Sequence, residues 1–247
     1  GTVPTKKVNL YADYKTINLA GCTAKLRQWI GEGEAEYDNR PIGPTMRIGP
    51  GHTYQARITN NLPAPGAKMT EHLVHMRGHG GGASSLLGYI PPERTDINHN
   101  LDLSTKSNEI DPAIFNPVNI HTHGWHVDPT GNSDNIFREM LPGVKRLYNQ
   151  MVYLPTYHPS GSFWYHSHVH GSTTIQVASG MAGALIVVDP DKGLDKIPAI
   201  QNAAADRIMV FQQLAYGADG QIENYDNLRQ SPYGKLNRPV FINGQAY

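Results

Sequence analysis

The sequence contains one cysteine, Cys22, in 247 residues. A lone thiol excludes an internal disulfide, and its neighbours, Gly21 before and Thr23, Ala24 and Lys25 after, include no histidine. Cys22 therefore reads as a small buried hydrophobe rather than a metal ligand. An excess of either charge is also lacking: 21 Lys and Arg stand against 21 Asp and Glu, a formal net charge of +0, with no basic cluster. Such a balance gives no electrostatic footprint for nucleic acid or an anionic membrane surface. No apolar run approaches the roughly 18 residues of a transmembrane helix, so no membrane span is expected. The segment 1–7 lacks the apolar stretch of a signal peptide, as a processed chain also would. There is no Asn-x-Ser/Thr sequon, which leans towards a bacterial source.

What is present is punctuation. With 25 glycines and 18 prolines between short apolar or alternating segments, the chain reads as an all-β sandwich or barrel rather than as repeated βαβ units. Candidate strands are 25–30, 46–48, 53–60 (Tyr54, Ala56 and Ile58 inward), 118–123, 147–153, 161–168, 184–188 and 207–214. Between Pro63 and Asn116 a polar stretch of about fifty residues breaks the rhythm and reads as an insertion, because loops of that length tend to be functional or disordered. Within it, 70–77 reads as a short helix stopped at Gly78, placing His72, His75 and Met76 on one face with His79 just beyond. Thioether and imidazole suit Cu(I), so these residues with Met69 form a second candidate copper site, against a helix that merely packs them on the barrel. The stretch 189–198 reads as a linker.

The chemistry concentrates in two H-x-H pairs, His121-Thr122-His123 and His166-Ser167-His168. Residues two apart in a strand point the same way, so each pair offers two imidazoles to one side. One such pair is weak evidence, since a lone histidine is more often hydrogen-bonded in a core or loop. Two pairs in a β protein, each followed closely by glycine (Gly124, Gly171), specify a transition-metal site without naming the metal.

The surrounding residues name a family. The runs Asn119-Ile-His-Thr-His-Gly-Trp-His126 and Gly161-Ser-Phe-Trp-Tyr-His-Ser-His-Val-His-Gly171, followed by Gly180-Met-Ala-Gly-Ala-Leu-Ile-Val-Val188, closely resemble the first-domain copper motifs of the laccase-like multicopper oxidases. Arg40-Pro-Ile-Gly-Pro-Thr-Met-Arg-Ile-Gly-Pro-Gly51 and Thr59-Asn-Asn-Leu-Pro63 resemble the family's "PGP" turn and the strand after it. The resemblance spans about 37–189 apart from the insertion. It implies a cupredoxin-like Greek-key β-sandwich with a long, partly helical insertion. The expected domains are 1–190, with the insertion at about 64–115, and 191–247 as linker and the incomplete start of a second such domain.

By the same resemblance, His121 ligates type 2 copper, His123 one type 3 copper, and His166 and His168 the type 3 pair. Asp134 matches the place of an acidic residue near the type 2 copper and is the expected proton relay, with Asp128 as competitor and a turn-forming aspartate as the plain alternative. His126 and His170 are expected to hydrogen-bond around the ligands, His158 to hold a turn, and Trp164 and Tyr165 to pack in the core behind the ligand strand. The family's cluster needs four such pairs and its type 1 site a cysteine flanked by histidines, and neither the third and fourth pairs nor that cysteine is found. Segments 207–214 and 240–245 resemble the opening of the family's second domain.

The expectation is thus the N-terminal part of an oxidase that couples oxidation of a phenolic, organic or metal-ion donor to four-electron reduction of O2 to water, inactive without its C-terminal domains. The family implies a secreted or periplasmic location. A chain ending inside a second domain exposes an interface, so self-association with a second copy is expected. Two rival readings are a non-catalytic cupredoxin-like structural or assembly module and a binuclear metal-dependent hydrolase, the latter requiring alternating helices in a (β/α)8 barrel.

Overall fold

The computed structural model describes residues 4–19, 21–32, 40–65, 112–143, 147–189, 191, 193–203, 205, 207–214, 216 and 240–246. Eleven strands and two short helices make up its regular structure together with single 3-10 turns: β1 (Thr5–Leu19), β2 (Cys22–Gly31), β3 (Met46–Ile48), β4 (Thr53–Asn60), β5 (His121–His123), β6 (Tyr148–Tyr153), β7 (Gly161–His166), α1 (Thr173–Ser179), β8 (Ala182–Val187), α2 (Pro198–Ala203), β9 (Phe211–Gln213), β10 (Val240–Ile242) and β11 (Gln245–Ala246). Two four-stranded sheets, ordered β2-β1-β4-β6 and β3-β8-β7-β5, form a cupredoxin-like sandwich, and β11-β10-β9 forms a separate three-stranded sheet. The alternating helices of a (β/α)8 hydrolase are absent among the described residues.

Strand burial follows from alternation. In β4, Tyr54, Ala56, Ile58 and Asn60 are buried while the residues between them face outward, as a half-buried strand requires. Tyr54, Ala56 and Ile58 meet Leu10, Ala12, Trp29, Met46, Val152, Tyr165, Leu185 and Val187 in one core between the sheets. A second core joins Ile17 and Leu19 of β1 and Ala24 and Leu26 of β2 to Leu214 and Phe241. The long β1–β2 ribbon therefore serves both, with Leu10 and Ala12 directed to the first core and Ile17 and Leu19 to the second. An even-to-odd switch in a period-two strand means that opposite faces are used.

Tyr165 anchors β7. Its side chain is fully buried and its hydroxyl donates to the Pro44 carbonyl at 2.9 Å. Gly183 lies opposite it across β7–β8, and a Cβ there would overlap the Tyr165 ring. This explains the glycine in the Met181-Ala-Gly-Ala run. Helix α1 ends at Gly180, whose φ of 107° favours glycine. From this helix the buried Gln176 donates through Nε2 to the Phe115 and Pro117 carbonyls, at 2.8 and 2.6 Å, and accepts from the Ser167 hydroxyl at 2.5 Å. One side chain thus ties the approach to β5 to the exit from β7.

The flanks of the expected insertion meet. Asn116 donates through Nδ2 to the Pro63 carbonyl at 2.8 Å, and the Asn60 amide donates to the Asn116 carbonyl at 2.8 Å. Buried Arg27 donates to Asn116 Oδ1 at 2.7 Å and to the Pro112 carbonyl at 2.8 Å. The 70–77 helix, with Met69, His72, His75, Met76 and His79, lies outside the described residues, as does the Cys22 side chain. The 189–198 linker carries a 3-10 turn, Leu194–Lys196, before α2.

Candidate metal centre

Strands β5 and β7 pair antiparallel with His121 opposite His166, Thr122 opposite Tyr165 and His123 opposite Trp164. Alternation then sorts the side chains. Thr122 and Tyr165 turn into the core, whereas His121, His123, Trp164 and His166 share the other face. The expected strand 161–168 ends at His166, so His168 is not held by the ladder. Its backbone N–H instead donates to Oδ1 of buried Asn119 at 2.6 Å, and Asn119 Nδ2 donates to the Ile136 carbonyl at 2.6 Å. That bond does for His168 what strand pairing does for His166.

All four imidazoles converge. The His121 ring centroid lies 5.5 Å from His123, 5.4 Å from His166 and 5.1 Å from His168. His123 and His166 are 5.4 Å apart, and His166 and His168 are 5.6 Å apart. One nitrogen from each of His121, His123 and His166 lies within 4.8 Å of the others. His123 Nδ1 and His166 Nε2 are 3.2 Å apart, close to the roughly 3.3 Å between two ligands about 2.0 Å from one tetrahedral ion.

Tautomers are set from behind. His121 Nδ1 donates to Asp134 Oδ2 at 2.8 Å, and Asp134 Oδ1 accepts the Thr122 N–H at 2.7 Å. His166 Nδ1 donates to the Ser167 carbonyl at 2.8 Å. In both rings Nε2 keeps its lone pair for a cation. Burial lowers the His166 pKa to about 4 and pushes His168 down as well, so both rings are neutral ligands near pH 7. His168 Nδ1 is buried without a hydrogen-bond partner, an orphaned atom of the kind a bound metal satisfies. The donor set fits copper: neutral imidazoles, a fixed tautomer, and one open flank where His123 is exposed.

Between the two carboxylates, geometry separates the roles. Asp134 is 7% exposed and lies against His121. Asp128 instead caps its own turn, accepting the Thr130 N–H and hydroxyl at 2.8 and 2.7 Å, bonds that lower its pKa. His158 is buried and holds a turn, with Nε2 accepting the His126 N–H at 3.1 Å and Nδ1 donating to the Pro159 carbonyl at 2.9 Å. The His126 ring faces His158, and the His170 ring lies between His168 and Phe137. Neither makes the expected hydrogen bond to a member of the quartet among the described residues.

One expectation is corrected. Tyr165 packs in the core, but Trp164 does not: it is 39% exposed and stacks on His123 and His166 at 4.8 and 4.3 Å, each at 26°. A residue two before His166 in a strand must share its face, so period two already carried this signal. Asn119 had no comparable sequence signal.

Residues 107–192 match the family model described as Multicopper oxidase. Over that segment, about a third of the chain, the sequence is similar to the multicopper oxidases. A laccase of Bacillus subtilis (strain 168) is 20% identical over 231 residues, covering 93% of this chain and 39% of the laccase. Among solved structures, a multicopper oxidase of Campylobacter jejuni, described as a metallo-oxidase, superposes with a TM-score of 0.59 at 17% identity, over 98% of this chain and 36% of that one. A multi-copper oxidase of Pseudomonas thermotolerans does so with a TM-score of 0.57 at 14% identity, over 99% and 42%. The structural likenesses bear on the fold. The chain spans less than half the length of each of these relatives.

Proposed function

We propose that this chain supplies one half of the ligands of a trinuclear copper cluster, in an oxidase that couples oxidation of a phenolic, organic or metal-ion donor to reduction of O2 to water. The observation that carries the reading is the convergence of four imidazoles from β5 and the end of β7, two of them with Nδ1 tied back by a hydrogen bond. His121 serves the type 2 position, His123 one type 3 position, and His166 and His168 the type 3 pair. Copper bound there would supply the one-electron redox chemistry of the Cu(I)/Cu(II) couple.

The remaining roles are positional and protonic. Asp134 fixes the His121 ring and, as a carboxylate touching a ligand ring, is the proposed relay that takes up protons from solvent and passes them on for O2 reduction. Trp164 stacks on the His166 ring, and Asn119 holds the His168 main chain through its N–H. The other ligands, a type 1 site and the donor pocket are assigned to further domains of the same oxidase, because the one cysteine sits in β2 with no histidine beside it. A secreted or periplasmic location follows from the family reading, as does self-association through the face that those domains would cover. No helix among the described residues is long and apolar enough to cross a membrane.

The test is metal content and turnover. The chain binds Cu(II), and a His121→Ala, His123→Ala, His166→Ala variant does not. The chain alone, with copper supplied, shows no intense blue absorption and no oxidation of a phenolic dye. Equal copper binding by chain and triple variant refutes the site, and turnover by pure chain refutes the assignment of the donor side elsewhere. Absence of any metal favours the non-catalytic module.

A further inference from the structure

Three tryptophans are present, and two of them, Trp29 and Trp125, are buried at 1% and 7% exposure. Trp164 is 39% exposed, and it is the contacts of its ring that set it apart. Cross-strand pairing puts it opposite His123, and strand alternation puts it beside His166. The indole consequently lies nearly parallel to both imidazoles, at 4.8 and 4.3 Å and 26° in each case. Among the described residues, no other side chain stacks on both rings. His166 has a hydrogen bond from Nδ1 to the Ser167 carbonyl. His123 is exposed, and among the described residues its side-chain hydrogen-bond contact is with His166 itself.

We propose that Trp164 is a positioning residue, an aromatic clamp that holds His123 and His166 at the spacing one copper ion requires, before the ion arrives. The inference rests on the reading of this face as a copper site. The physical basis is preorganisation: a ring already stacked in its bound orientation loses little rotamer freedom when it takes a metal, whereas a free surface histidine loses more. The 3.2 Å between His123 Nδ1 and His166 Nε2 is the spacing the clamp preserves.

The experiment is a Cu(II) titration of the 247-residue chain and of Trp164→Ala, Trp164→Phe and His123→Ala, read by calorimetry and by indole fluorescence. Trp164→Ala is expected to bind copper about tenfold more weakly, the loss typical of a partner that orients a ligand. Trp164→Phe keeps an aromatic face and is expected to recover most of that affinity. In the unsubstituted chain, copper quenches the fraction of emission that iodide also reaches, since only the exposed indole touches the site. The metal-free Trp164→Ala chain keeps its melting temperature to within a few degrees. Copper affinity unchanged in Trp164→Ala, or as weak in Trp164→Phe as in Trp164→Ala, overturns the clamp while leaving the copper reading intact. Identical copper binding by the chain and His123→Ala overturns the copper reading, and the clamp with it.

Discussion

Replacement of Asp134 by Asn tests how the chain prepares His121. The carboxylate accepts two hydrogen bonds, from the Thr122 N–H at 2.7 Å and from His121 Nδ1 at 2.8 Å, in a position only 7% exposed. Asparagine is nearly isosteric but has one acceptor and one donor group. Thr122 cannot change its donor, being main chain within β5, so the amide oxygen turns to it and the NH2 faces His121. The imidazole must then accept at Nδ1 and carry its proton on Nε2, the nitrogen otherwise free for a metal. Binding copper requires undoing that arrangement, at about 1–3 kcal/mol for a buried hydrogen bond of this type. At about 1.4 kcal/mol per decade this is on the order of 10–100-fold in copper affinity, the same range as measured losses of ligand-orienting partners. The assays are a Cu(II) titration and 15N NMR of the His121 ring, which reports the protonated nitrogen. Asp134→Asn with parental copper affinity and the proton still on Nδ1 would falsify this account.

Three further outcomes follow from packing and charge. Gly183→Ala places a methyl group in the Tyr165 ring, and overpacking of a core costs about 1–3 kcal/mol, so thermal unfolding should show a clear fall in Tm; an unchanged Tm refutes the fit described. Arg27→Ala strips buried Asn116 Oδ1 and the Pro112 carbonyl of a charged donor, at about 2–3 kcal/mol, which denaturant titration detects as a lower midpoint. His166 is 4% exposed and its pKa is lowered to about 4 by burial, against about 6.5 in an unfolded chain. The unfolded chain therefore binds the extra proton, and the stability of the metal-free protein is intact above pH 6.5, falls between 6.5 and about 4, and levels off below. Discounted for partial solvent screening, the loss is about 2 kcal/mol. Denaturant midpoints for His166→Gln should decline less over that window, and parallel declines refute the assignment.

The residues that share one environment along a strand were legible from sequence. Met46–Ile48 and Thr53–Asn60 have the expected bounds because each keeps one face in one core. The strand Thr5–Leu19 was not anticipated, although it is 15 residues long. Its apolar residues change parity between Ala12 and Ile17 because its ends face different cores, and that switch erases the alternation on which strand recognition depends. Helix Thr173–Ser179 was missed for a different reason: seven residues with β-branched Thr173, Thr174, Ile175 and Val177 carry little helical signal, and tertiary bonds from Gln176 hold it. At the metal centre the four histidines and Asp134 were visible as residues. The tautomer settings and the support of His168 by Asn119 were not, since they depend on which carbonyl or amide lies behind each ring.

The hydrogen bond from Asn116 to the Pro63 carbonyl fastens together two points that lie 53 residues apart in the sequence. A segment whose two ends are already fastened together has no distance to span, and each doubling of its length adds only about 0.6 kcal/mol of closure entropy. Sequences of very different size and chemistry can hang between those two points without pulling on β5, which begins five residues beyond Asn116.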